Sequence, residues 1–266
     1  MVNENNIEIY KTLLENNKIL ENSVLINVCT FNQAQIAKDA GVTGVVVLFD
    51  DEYQMANIAL ALRVVKELDL YCVVQIRKGH TLEARILQGC GVNLFNACIE
   101  NNTSNEDNLN TSNYSVPFSL GVESLQETLN AVDTGCVVVQ NSNILLTVAE
   151  LIKRYENINE KISEFHKFKN ANSIIKYSKE NKVSQNLLNY CADTGIIPCM
   201  HLAEGDIKNP LDVILLIKTG YNGIILNEKI FNTRSPLPML KTIVQVVQNY
   251  KDGKQILNSC LSLQEI

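Results

Sequence analysis

Short, almost continuous apolar runs recur along this 266-residue chain, at 24–28, 45–49, 72–76, 93–98, 115–120, 136–140, 196–202 and 223–227. Runs that are apolar throughout, rather than alternating with polar residues, belong to strands covered on both faces. Amphipathic stretches of helical period lie between most of them, at 33–40, 55–68, 81–88, 124–133, 144–162, Pro210–Thr219 and 237–250. Gly41, Gly91, Gly135, Gly195 and Gly220 each follow a helical stretch and precede a strand, where a left-handed residue closes the helix. Pro210 follows Asn209 as a first-turn proline follows an N-cap. Eight strands interleaved with helices over about 250 residues predict an α/β fold of the (β/α)8 barrel type. A doubly wound open sheet is the alternative, but no G-x-G-x-x-G follows the first strand.

Two segments stand outside the repeat: a leading N-terminal helix at 7–17 and a polar helical insertion at 163–189, before strand seven. The Asn-rich stretch 101–113 reads as a long loop after strand four. Without a low-complexity linker to divide it, the expectation is one domain over 1–266. Composition narrows the function classes. With 23 Lys and Arg against 29 Asp and Glu, the net charge is −6, and no basic stripe offers itself to nucleic acid. No apolar run approaches the roughly 20 residues of a membrane span, and MVNENNIEIY lacks a signal-peptide core, so the expectation is a cytoplasmic protein without membrane contact. The eight cysteines are scattered and mostly sit in apolar runs, where a thiol packs as a small hydrophobe. Three dispersed histidines, His80, His166 and His201 (the last at the end of strand seven), supply no metal spacing, so no metal or cofactor is expected.

Barrel enzymes carry their chemistry at the C-terminal ends of the strands. Here those ends hold Asn27, then Gln75, Arg77 and His80, then Asn96. After strand six come Gln140-Asn141-Ser142-Asn143, after strand seven Glu204-Gly205-Asp206, and after strand eight Asn227-Glu228-Lys229. Most are amides, which neither titrate usefully nor attack as amines. Asp50-Asp51-Glu52 after strand two reads as a solvated acidic loop.

The segments SVLINVCTFNQAQIAKDAG, IRKGHTLEARILQGCGV, NYSVPFSLG and GYNGIILNEKIF resemble the PdxS/SNZ family, the synthase subunit of glutamine-dependent pyridoxal 5′-phosphate synthase. The most specific block is R-x-G-H-x-x-E-A-R, present as Arg77, Gly79, His80, Glu83, Ala84 and Arg85. In this chain the block reads as structural, with His80 near a helix start and Glu83 and Arg85 in ion pairs. The resemblance implies a barrel that builds the cofactor from a pentose phosphate, a triose phosphate and ammonia, through imines on two lysines.

The positions that carry that chemistry are altered. The family's first-strand aspartate falls on Asn27, its two lysines on Gln75 and Gln140, and its strand-four aspartate on Asn96. An arginine becomes Val138, and the glycine-rich segment after strand six becomes Asn141-Ser142-Asn143-Ile144. The phosphate loops become Glu204-Gly205 after strand seven and Asn227-Glu228-Lys229 after strand eight. An imine requires an uncharged amine, so Lys→Gln removes the covalent step. Gly→Glu in a phosphate cradle blocks backbone approach and adds like charge. A substitute among Lys78, Lys208 and Lys229 would have to reach the same point within about half an ångström.

The expectation is a pseudoenzyme that assembles with an active synthase-subunit paralogue, in the hexamer or dodecamer rings the family forms, and stabilises or regulates vitamin B6 biosynthesis. The resemblance also implies a glutaminase subunit as a possible partner. The alternatives are residual or altered catalysis on a phosphorylated sugar, and a non-catalytic ligand-binding barrel.

Overall fold

The computed structural model describes residues 14–15, 18–48, 54–77, 81–98, 116–141, 145–165 and 171–261. Eight parallel strands close into a barrel in sequence order: β1 Ser23–Val28, β2 Gly44–Val47, β3 Tyr71–Arg77, β4 Leu94–Cys98, β5 Phe118–Val122, β6 Val138–Asn141, β7 Met200–Glu204 and β8 Gly223–Leu226, with β8 returning to β1. The helices are α1 Phe31–Ala40, α2 Gln54–Arg63 (continued by a π-helical turn, Val64–Leu68), α3 Thr81–Gly89, α4 Leu125–Asp133 and α5 Val148–Phe165. After them come α6 Ala171–Asn181, α7 Gln185–Thr194, α8 Pro210–Thr219, α9 Pro236–Gln248 and α10 Gly253–Leu261. The expected (β/α)8 architecture is present, and α6 and α7 form the helical insertion before strand seven. Of the leading helix only Leu14 and Glu15 fall within the described residues, where they are helical. The 101–113 loop, Asp50-Asp51-Glu52 and His166 lie outside them.

Local chemistry explains the element boundaries. Thr30 caps α1 in a capping box with Gln33, and Asn209 does the same for α8 with Asp212 and Pro210 in the first turn. The five glycines expected at helix ends all have positive φ. Strands five and seven begin later than the apolar runs suggest, because Pro117 and Pro198 have no N–H to offer the ladder. Pro117 instead gives its carbonyl to the N–H of Phe95 at 3.0 Å. Helix α5 begins at Val148 rather than 144, because Thr147 caps it: its Oγ1 accepts from the N–H of Glu150, and the Glu150 carboxylate accepts from the N–H of Thr147 at 2.8 Å. The insertion accordingly shifts, its first residues completing α5 and its last helix running to Thr194.

Alternation along each strand sorts side chains into two layers. Leu25, Val46, Val73, Leu94, Val138, Leu202 and Ile225 point inward and pack with Leu20 and Met200 into a dry plug. Their neighbours Val24, Ile26, Val45, Val47, Cys72, Val74, Ala203 and Ile224 face the helices and join the larger outer core. Buried Cys72, Cys136 and Cys191 are free thiols pushed up to about 12 by burial, so they are neutral packing atoms. No helix among the described residues is long and apolar enough to cross a membrane.

Gly44 illustrates how tightly the wall closes. A Cβ there would run into the backbone carbonyl of Tyr71 on the adjacent strand. Gly44→Ala should cost at least about 3 kcal/mol or abolish folding, because backbone and not a flexible side chain must yield. Gly89→Ala, in open space at the end of α3, should be neutral or stabilising by up to about 1 kcal/mol. Urea denaturation of both variants checks the contrast.

Candidate functional site at the barrel mouth

Two residues beyond the apolar plug, each strand presents the next inward side chain. Leu25 is thus followed by Asn27, Val73 by Gln75, Leu94 by Asn96, Val138 by Gln140 and Leu202 by Glu204. The parallel register sets Gln75 beside Asn96 and Asn96 beside Ser119. A polar layer dominated by amides therefore sits directly on a hydrocarbon floor. Asn27 is 3% exposed, Gln140 7%, Asn96 8% and Glu204 8%.

Three of these residues are joined. The Asn27 Nδ2 donates to Glu204 Oε1 at 3.3 Å, and the Gln140 Nε2 donates to Glu204 Oε2 at 3.1 Å. The carboxylate of β7 is thereby held between an amide of β1 and an amide of β6. Its own backbone N–H donates to Asn141 Oδ1 at 3.4 Å. Burial is the main reason the Glu204 carboxyl is pushed up to about 7; the Asn27 hydrogen bond opposes the rise, and the charge of Glu228 adds to it.

Several sequence expectations are revised by these positions. Glu204 is not a loop residue after strand seven but its last member, because the strand starts late and runs further into the mouth. Asn141 likewise belongs to β6 itself, one residue past the expected end of the run at Gln140. Gly205 is required by a close approach: a Cβ would stand 2.6 Å from the Leu146 carbonyl and 2.9 Å from Leu151 Cδ1. Asn227 is turned to its own chain, capping the 3-10 turn Glu228–Asn232 by accepting from the N–H of Lys229 at 2.9 Å.

His201 is the second residue of β7 rather than its end. Its ring stands edge-on to Tyr155 on α5 and touches the Cys199 thiol at 3.4 Å. Lys208 is committed to Asp206 at 2.6 Å, and Lys229 is exposed. In the R-x-G-H-x-x-E-A-R block, Arg77 ends β3, and Glu83 and Arg85 lie on α3. Lys78, Gly79, His80 and residues 142–144 lie outside the described residues.

The sequence reading missed a small cavity behind the β6–β7 wall, lined by Asn141, Arg154, Tyr155, His201 and Tyr221. Nothing in the strand pattern signals it, since Arg154 and Tyr155 come from the middle of α5. Among the described residues no group of three or more His, Cys, Asp or Glu is placed to hold a metal ion.

Chemically, the bridged trio lacks an amine nucleophile, and its single titratable group is an elevated carboxyl. A native carboxyl near 7 against an ordinary value of 4.5 means that the folded state keeps a proton the unfolded chain releases. Stability from this group is therefore present at low pH and declines as pH rises from about 4.5 to about 7. Glu204→Gln, which stays neutral and lets the Asn27 amide turn to accept, should be more stable than the parent at pH 8, on the order of 2 kcal/mol. The advantage should vanish toward pH 4.5. Thermal unfolding of both proteins from pH 4.5 to 8 checks this; parallel curves would refute it.

Comparison with known proteins places this geometry in context. A family model described as the SOR/SNZ family matches residues 10–204. The chain is 25% identical to the pyridoxal 5′-phosphate synthase subunit PdxS of Methanosphaera stadtmanae over 251 residues, covering 90% of this chain and 85% of that protein. It is 27% identical to the pyridoxal 5′-phosphate synthase subunit SNZERR of Suberites domuncula, covering 89% and 81%, and 25% identical to the subunit PDX1.1 of Arabidopsis thaliana, covering 89% and 80%. Among solved structures, thiamine phosphate pyrophosphorylase from Pyrococcus furiosus superposes with a TM-score of 0.53 at 14% identity, covering 86% of this chain and 96% of that one, a likeness of fold alone.

Proposed function

The chain belongs to the SOR/SNZ family, and we propose that it is a non-catalytic member, a pseudoenzyme that assembles with an active synthase-subunit paralogue and stabilises or regulates pyridoxal 5′-phosphate synthesis. The observation that carries this reading is the bridge at Glu204. Asn27 and Gln140 occupy positions where the family resemblance puts an aspartate and an imine-forming lysine. Both spend their amide donors on a carboxylate of the chain itself.

Three physical consequences support the reading. Gln140 and Gln75 have no amine to add to a sugar carbonyl. Asn27 does not accept a proton as an aspartate would. An ionised Glu204 in a nearly dry layer repels a phosphate dianion, and interactions there are screened far less than in water. Lys208, which could stand in for a lost lysine, is occupied by Asp206.

Retention of the framework fits a role in assembly. The inward plug, the helix caps and the close approaches at Gly44 and Gly205 are those of a well-packed barrel, while the polar layer above the plug lacks the lysines and aspartates that the family resemblance implies. A barrel that keeps its outer shape can occupy a subunit position without contributing a working site.

Co-expression with a catalytically active paralogue from the same source, followed by native mass spectrometry, tests the assembly. Mixed rings containing both chains are expected, in proportions that follow the expression ratio. Two separate homomeric populations, with no mixed species at any ratio, would sink the proposal.

A further inference from the structure

We draw no further inference here: the strongest candidate, the exposed leucines Leu211 and Leu215 on α8 and Leu257 and Leu261 on α10, two helices joined by the small cluster of Ile214, Val246 and Ile256, is an apolar surface patch for which nothing in the structure shows what covers it.

Discussion

The arrangement of this protein depends on the packed hydrocarbon plug inside the barrel. Eight strands can close only if one inward side chain from most of them fills the axis, and Leu25, Val46, Val73, Leu94, Val138, Leu202 and Ile225 do so. That layer fixes the register of each strand. Slipping a strand by one residue would turn its polar mouth residue, Asn27 or Gln140 among them, toward the helices. It also fixes the floor on which the next inward residues stand, so the composition of the mouth follows from the plug by a step of two residues.

The consequence is electrostatic. Placing Glu204 on that floor takes a carboxylate out of water, and two neutral amides compensate only part of the loss. The carboxyl responds by rising to about 7, and it lies between Gln140 on the adjacent strand β6 and Asn27 on β1, the strand beyond β8. Glu204 at the seventh strand's end thus ties together strands that are far apart in sequence. It also bears on what the mouth accepts, because a carboxyl that titrates near 7 stands in the polar layer. On the proposed reading, the same two amides stand where the resemblance to pyridoxal 5′-phosphate synthase subunits implies covalent and acid–base chemistry.

Much of the fold was legible in the residues. Continuous apolar runs, glycines at helix ends and the Asn209-Pro210 start all mark real boundaries, because each reports a local backbone requirement that tertiary packing does not override. The late starts of β5 and β7 were also encoded, in Pro117 and Pro198, but apolar content masked them. The site was legible as a set of positions and not as an arrangement. Asn27, Gln140 and Glu204 stand out in the sequence one at a time, separated by 177 and 64 residues along the chain. That they share hydrogen bonds follows from barrel closure. The misplacement of Glu204 on a loop followed directly from reading β7 too early, since two residues decide whether a side chain belongs to the wall or to solvent. The buried, unpartnered side-chain oxygens of Asn27 and Glu228 have no signature in sequence at all; they are visible only in three dimensions.

The central claim is that the barrel keeps its frame while its centre no longer forms a covalent adduct with a sugar. Incubating the purified chain with a pentose 5-phosphate, adding borohydride, and weighing the intact protein by mass spectrometry addresses it most directly. The account predicts an unchanged mass, with an active synthase subunit labelled under the same conditions as the positive control. A stoichiometric adduct reduced onto Lys78, Lys208 or Lys229 would contradict it.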